Sequence, residues 1–185
     1  FLDQSEVKAR GYYLNLIDDK NSSFSYLSKK KEVNLSNFRF IFLRQDPPFD
    51  MKYITSTYIL DLLTGPTKVI NNPKAVRNST EKLYTYKFID YMPPTIVTQN
   101  IDDLKNFLKI HQDIITKPLY GNGGEGIYRS KKGFLNGIKN NKKYLDMPIM
   151  AQKYIPEISQ GDRRIILIDG EYYGSVSRIP QLNNL

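Results

Sequence analysis

Short apolar runs and segments of helical periodicity alternate along the 185 residues, with polar, glycine and proline clusters between them. Residues 3–10 have helical character, and Gly11 follows them at a position where glycine often ends a helix. We therefore predict an opening helix, and further helices at residues 55–63, 81–88, 102–109 and 134–140, the third of these four capped by Asn100. The apolar runs predict strands at residues 12–17, 38–43, 68–70, 95–98, 114–117, 127–129, 150–155, 163–168 and 172–177.

The order of these elements predicts two structural parts with a boundary near Val76. The first is an α/β lobe, a class that usually opens with a strand. Because this lobe opens with the predicted helix, we expect its first strand to be missing from the sequence. Residues 38–43 are expected to form a buried strand. The second part is a mixed α+β unit, in which Asp169-Gly170 predicts a tight hairpin turn.

Lys117 and the glycine-rich stretch after it carry the strongest chemical signal. The stretch reads Pro118-Leu119-Tyr120-Gly121-Asn122-Gly123-Gly124-Glu125-Gly126. Glycines let the backbone approach a ligand, exposed N–H groups can form an anion site, and lysine adds a point charge suited to phosphate. Because the lysine precedes the glycines, this is not a P-loop, and because a strand-like run follows at once, it is not a usual dinucleotide motif. Alone, it fits equally a flap over phosphates and an ordinary glycine-rich hairpin.

Composition narrows the classes of function. The chain has no cysteine and one histidine, His111, which excludes thiolate and multi-histidine metal sites within it. It has no apolar run of membrane-spanning length and no visible signal peptide, and the lack of cysteine is compatible with a reducing cytosol. The net charge of +8 makes nucleic-acid binding a function to consider. Since the lysines are scattered apart from Lys29–Lys31, attraction of ATP and anionic substrates is the better use of this charge.

Several segments together resemble the ATP-grasp superfamily and, within it, the bacterial glutathione synthetase family. The resemblance covers nearly the whole chain in the same order and with similar spacing. The Leu43-Arg44-Gln45-Asp46-Pro47-Pro48-Phe49-Asp50 segment is the most specific, whereas Lys117-Pro118-Leu119-x-Gly-x-Gly-Gly is shared with other ATP-grasp ligases. The remaining matches are Ile70-Asn71-Asn72-Pro73, Asn78-Ser79-Thr80-Glu81-Lys82-Leu83, Met150-Ala151-Gln152-Lys153-Tyr154-Ile155-Pro156, Gly161-Asp162-Arg163-Arg164 and Ser177-Arg178-Ile179-Pro180-Gln181.

The resemblance implies the fold and the domains. Residues 1–76 would form the N-terminal α/β lobe that precedes an ATP-grasp domain, and residues 77–185 would form that domain, incomplete at its C-terminal end. The match is poor over residues 18–36. The C-terminal Asp and Glu-x-Asn motif that binds metal in the family has no counterpart in the C-terminal part of this sequence, so magnesium ligands are expected beyond residue 185. The 185 residues alone are therefore expected to bind ATP weakly and not to catalyse.

The resemblance also implies the site residues. Lys82 and Lys117 would hold the ATP phosphates beneath the glycine-rich flap, residues 152–155 would line the adenine, and Arg44 and Asp46 would bind substrate. Asp162, Arg164 and Arg178 would face the nucleotide phosphates and the substrate carboxylate, with Arg164 and Arg178 catalytic and Arg178 also binding substrate. The nucleotide-binding set is Lys82, Lys117, Gly121, Asn122, Gly123, Gly124, Gln152, Lys153, Tyr154, Ile155 and Asp162.

Without the family, these residues have plainer interpretations. Lys82 would be a lysine on a helix surface, residues 152–155 a core strand, and Arg163 and Arg164 an alternating pair along a strand. Arg44 and Asp46 would fix the Pro47-Pro48 turn by hydrogen bonds. The strand-end position of Arg44 and Asp46 is, however, where α/β lobes place ligand contacts.

The activity implied by the resemblance is ATP-driven joining of glycine to γ-glutamylcysteine through an acyl phosphate. It implies ATP and magnesium, a cytoplasmic homo-oligomer (commonly a tetramer in the family), and no nucleic-acid or membrane partner. Two alternatives stay open. One is another ATP-grasp ligase of amino acids or peptides, and the other is a non-catalytic nucleotide- or nucleic-acid-binding module, favoured by the charge and the missing metal ligands.

Overall fold

A computed structural model of the chain describes residues 1–16, 24–121, 123–131, 133, 135–136 and 146–179. The chain forms two compact units. The first comprises Phe1–Lys87 and Leu119–Glu125, and the second comprises Phe88–Pro118 and Gly126–Leu185. Most of the helix predicted over residues 134–140 lies outside the described residues.

The first unit opens with strands, so the helix predicted over residues 3–10 is wrong. β1 (Leu2–Asp3), β2 (Glu6–Gly11) and β5 (Lys31–Asn34) form an antiparallel sheet in the order β1-β2-β5. Val7 is buried, and Lys8 forms ion pairs with Asp3 at 2.7 Å and Glu6 at 3.0 Å. Pairing with residues 31–34 supplies the hydrogen bonds that a local helix would otherwise have made.

Two small strand pairs complete the sheets of the first unit. β3 (Leu14–Leu16) pairs antiparallel with β4 (Phe24–Tyr26), and β6 (Phe40–Phe42) pairs parallel with β7 (Lys68–Ile70). The strand predicted over residues 38–43 exists in shorter form but is not buried, because Phe40 and Phe42 are 45% and 69% exposed. Burial begins at the next residue, Leu43.

The helices of the first unit follow strong local signals. α1 (Met51–Asp61) begins at Met51 rather than at residue 55, because the Asp50 carboxylate accepts the Tyr53 N–H at 2.9 Å and caps the helix. α2 (Pro73–Asn78) is capped by Asn72. α3 (Glu81–Tyr84) is shorter than predicted and passes into a 3₁₀-helix at Thr85–Tyr91, which is interrupted at Phe88.

The second unit is built on a four-stranded antiparallel sheet in the order β10-β9-β11-β8. Its strands are β8 (Thr95–Thr98), β9 (Asp113–Pro118), β10 (Tyr128–Lys131) and β11 (Ile149–Lys153). α4 (Ile101–His111), capped by Asn100 as predicted, packs on one face. The core formed there contains Leu104, Phe107, Leu108, Ile114, Leu135, Ile149 and Ala151.

A long hairpin, β12 (Asp162–Ile168) and β13 (Glu171–Arg178), follows in the second unit and confirms the turn predicted at Asp169-Gly170. Both turn residues have positive φ, 50° and 83°. Gly161, just before β12, has φ 97°, and a Cβ there would lie 2.4 Å from the Arg178 carbonyl oxygen. Only glycine therefore permits this close approach of the two strand ends. Among the described residues, no helix is long and apolar enough to cross a membrane.

Candidate functional site

The sheet of the second unit has two faces, and the predicted nucleotide residues share one of them. Ile114 and Ala151 point into the core against α4. Because side chains alternate along strands, Lys117 on β9 and Gln152 on β11 lie on the opposite face. The Gln152 side-chain amide donates to the Thr95 hydroxyl at 2.9 Å, which fixes its orientation. The structure thus brings Lys117 and Gln152 to the same side of the sheet.

The end of β11 is held between its two neighbours. The Lys153 N–H donates to the Pro94 carbonyl at 2.9 Å, and the Tyr154 N–H donates to the Asp113 carbonyl at 3.0 Å. The Tyr154 side chain is buried, whereas Lys153 and Ile155 are exposed. The predicted adenine-lining segment therefore contains a buried anchor and two exposed residues whose backbone leaves the end of the sheet.

A charged and aromatic cluster that the sequence interpretation missed surrounds this anchor. Arg129 donates through Nε and Nη2 to the two carboxylate oxygens of Asp113, at 3.0 and 2.8 Å. Its guanidinium also lies over the Tyr154 ring, 3.3 Å from the centroid. The hydrogen bonds from Arg129 hold the pKa of Asp113 below its usual range, and they raise the pKa of Arg129. No local signal in the sequence marks this cluster, because its members meet only through the pairing of β9 with β10 and β11.

In the first unit, Lys82 is attached to the glycine-rich loop. Its Nζ donates to the carbonyl oxygens of Gly121 at 2.8 Å and Leu119 at 3.3 Å. Lys82 is half-buried and is not the plain surface lysine that local sequence suggested. Gly123 and Gly124 have φ of 62° and 84°, a conformation that other residues rarely adopt. Asn122, also predicted to bind nucleotide, lies outside the described residues.

A cavity of about 390 Å³ lies in the first unit beside this loop. Phe49 and Tyr53 contact each other at a ring-centroid distance of 5.0 Å, and Phe49 stacks on Tyr120 at 6.4 Å. Sequence reasoning did not single out these aromatic side chains. The lining residues are Gln45, Pro47, Phe49, Tyr53, Asn71, Val76, Ser79, Thr80, Glu81, Leu119, Tyr120 and Gly121.

The predicted substrate residues Arg44 and Asp46 are both exposed on the loop after β6. Their neighbours Gln45 and Pro47 line the cavity, whereas Arg44 and Asp46 are not among its lining residues. Their assignment to substrate therefore stays a prediction.

Asp162 and Arg178 form a bidentate ion pair across the ends of β12 and β13. Arg178 Nε donates to Asp162 Oδ1 at 2.6 Å, and Nη2 donates to Oδ2. This hydrogen bonding lowers the pKa of Asp162 and raises that of Arg178. The structure thus joins two predicted site residues, and Arg164 lies exposed on the same hairpin, two positions beyond Asp162.

Clusters of metal-ligating side chains are absent from the residues that the structure describes. Across these ranges, no group of three or more His, Cys, Asp or Glu side chains is arranged to hold a metal ion.

Two family models match the two parts of this chain. Residues 1–77 match the N-terminal domain of prokaryotic glutathione synthetase, and residues 81–185 match its ATP-grasp domain. Glutathione synthetase of Agrobacterium fabrum is 42% identical over 92% of this chain and 54% of its own length. The enzyme of Mesorhizobium japonicum is 41% identical over 97% of the chain and 58% of its length. The chain thus spans little more than half the length of these curated relatives.

Solved structures share the fold at low sequence identity. D-cycloserine synthetase superposes with a TM-score of 0.65 at 16% identity, covering 80% of this chain and 54% of that one. D-alanyl-alanine synthetase A from Vibrio cholerae superposes with a TM-score of 0.56 at 14% identity, covering 94% of this chain and 54% of that one. The predicted mixed α/β fold with an ATP-grasp unit is confirmed. This chain belongs to the prokaryotic glutathione synthetase family.

Proposed function

We propose that this chain forms the ATP-binding part of a ligase that joins glycine to γ-glutamylcysteine. The observation that carries the proposal is the family match over both domains, together with the position of Lys117 and Gln152, both half-buried, on one face of the sheet. In the proposed reaction the γ-phosphoryl group of ATP passes to the peptide carboxylate. The glycine amine then attacks the acyl phosphate, and inorganic phosphate leaves as the amide bond forms.

The proposed nucleotide contacts follow from side-chain chemistry. Lys117 and Lys82 carry point charges suited to phosphate oxygens. The loop after Lys117 would close over the triphosphate, with its left-handed glycines keeping the backbone near the ligand. Backbone groups of Lys153 and Ile155 would read the adenine edge. Positive charge near the transferring oxygens would stabilise the charge that develops on them in the transition state.

The predicted substrate and catalytic residues would contact the reactants. We propose that Arg44, Asp46 and Arg178 contact the peptide and its carboxylate, and that Arg164 contacts the reacting phosphates with Asp162. A net charge of +8 favours the approach of anionic substrates. Magnesium, a cytoplasmic location and a homo-oligomeric assembly belong to the same proposal.

The test is a substrate screen on the full-length protein. ADP and phosphate release would be followed with ATP, magnesium and pairs of carboxylate and amine substrates, and the products identified by mass spectrometry. We expect turnover with γ-glutamylcysteine and glycine, giving glutathione, and a large loss of turnover in Lys117→Met. Turnover with another pair, such as two D-alanines, but not with these substrates would replace the proposal with a different peptide ligase. Salt-sensitive nucleic-acid binding without ATP binding would indicate a non-catalytic module.

A further inference from the structure

We infer that Arg129 is a positioning residue for base recognition: it fixes the end of β11 and thereby makes the site selective for adenine. The inference rests on the proposed function, because it concerns the segment proposed to read the nucleotide base. Nothing in the sequence pattern marked Arg129 as a site residue.

The geometry joins three strands at one point. Arg129 on β10 forms a two-point hydrogen bond with Asp113 on β9, and it covers the ring of Tyr154 just beyond β11. The Tyr154 N–H in turn donates to the carbonyl of Asp113 itself. A planar guanidinium can satisfy a carboxylate and stack on an aromatic ring at once, which a lysine cannot reproduce.

The cluster fixes the direction of the backbone where it leaves the sheet after β11. Lys153 is tied to Pro94 on one side and Tyr154 to Asp113 on the other, and the 3₁₀-helix at Pro156–Gln160 follows immediately. If the Tyr154 ring loses its cover, the backbone on either side of it gains freedom. A backbone carbonyl and N–H can discriminate the edge of a base only when both are held within hydrogen-bond geometry.

An ordinary surface ion pair would not have this arrangement. Lys105 and Asp102 on α4 illustrate such a pair: they lie 2.7 Å apart, one helical turn from each other, with both side chains mostly exposed. The Arg129–Asp113 pair instead joins two strands, is partly buried at both ends, and rests on a buried ring. Lys105→Met is therefore the matched control, because it also removes one positive charge from an ion pair in the same unit.

Calorimetry measures the affinity of the full-length protein for ATP and, separately, for inosine triphosphate. The two nucleotides differ only at the base edge, where the 6-amino donor becomes a carbonyl acceptor and N1 becomes a donor. We expect Arg129→Met and Asp113→Asn to lower the ratio of ATP to inosine triphosphate affinity about tenfold, the value of one well-placed hydrogen bond. Arg129→Lys should lose most of the same selectivity, and Lys105→Met should retain it.

The ratio separates positioning from stability. A purely structural role for Arg129 would lower the thermal midpoint while leaving the affinity ratio of the folded protein unchanged, and this outcome would overturn the inference. If Arg129→Met does not fold, the ratio of ATP to inosine triphosphate affinity is measured on Arg129→Lys instead. If the wild-type protein binds neither nucleotide, the proposed function fails and the inference with it. Wild-type ATP binding with an unchanged ratio in the variants would leave the function standing and remove only this inference.

Discussion

Lys82 donates a 2.8 Å hydrogen bond from its Nζ to the carbonyl oxygen of Gly121, 39 positions later in the chain. This bond attaches a helix residue to the first glycine of the loop proposed to cover phosphates. The same ammonium group is proposed to bind ATP. Phosphate and the loop carbonyls therefore compete for its donors, and nucleotide binding should alter how the loop is held.

Lys82→Met should loosen the loop in the absence of nucleotide as well as weaken ATP binding. The methionine keeps the length and apolar stem of lysine but offers no donors. We expect faster hydrogen exchange at backbone amides of residues 119–125 and at least a tenfold loss in ATP affinity, because charge-assisted hydrogen bonds contribute about 1.5–3 kcal/mol. Exchange mass spectrometry and calorimetry on the full-length protein measure the two effects. Lys87→Met, whose lysine lies over the Tyr84 ring, should change neither.

Gly124→Ala should weaken ATP binding more than it destabilises the protein. Gly124 has φ 84° with open space around the position of a Cβ, so the cost is backbone strain and not a clash. Holding alanine in that conformation costs about 1–2 kcal/mol. Because Gly124 is exposed, we expect the empty loop to relax this strain and the loop closed over ATP not to, which gives roughly a tenfold loss in ATP affinity. Gly11→Ala is the control, since Gly11 has neither positive φ nor a nearby atom. Equal effects from the two substitutions would contradict the prediction.

Gly161→Ala should disrupt the start of the β12–β13 hairpin and the ion pair beside it. A Cβ would lie 2.4 Å from the Arg178 carbonyl oxygen, and φ is 97°. We expect a loss of about 2 kcal/mol or more in the free energy of unfolding, from strain and displaced backbone. Chemical denaturation measures it. Gly174→Ala in the same hairpin, where a Cβ meets nothing within 4 Å, should cost clearly less.

Asp113→Asn should remove a contribution to stability that depends on pH. Arg129 lowers the pKa of Asp113 in the folded protein. The stabilisation is therefore fully present above the ordinary aspartate pKa of about 4, and it is lost as the pH falls through the lower folded value. We expect the free energy of unfolding of the wild type to exceed that of Asp113→Asn by about 1 kcal/mol at pH 7. Urea denaturation at a series of pH values should show this difference shrinking below pH 4. A difference that stays constant down to pH 2 would contradict the stabilising role of the Asp113 carboxylate.

The local sequence predicted those parts of the fold whose signals lie within a few residues. The Asp169-Gly170 turn, the Asn100 cap of α4 and the strand–loop–strand order around Lys117 all appear in the structure. Each depends on a turn residue or a cap whose preference is local. The domain boundary near Val76 and the roles of Arg44 and Asp46 remain predictions.

The error at residues 3–10 has a physical origin. Glu6–Gly11 is a strand because Lys31–Asn34 pairs with it, twenty or more positions later. Charged residues on this segment are compatible with either structure, and a local pattern contains no information about the distant partner. β6 is a second case in which the local pattern misled. Its apolar sequence predicted a buried strand, but both of its phenylalanines are exposed.

The sequence by itself determined the family and the chemical types in the site, because lysines, arginines and flexible glycines occur in a specific order. Only the tertiary structure decided which of these groups meet. It placed Lys82 on the Gly121 carbonyl, paired Asp162 with Arg178, and assembled Asp113, Arg129 and Tyr154 around the end of β11. Such contacts depend on strand register and packing between distant segments, and no local preference of the chain specifies them.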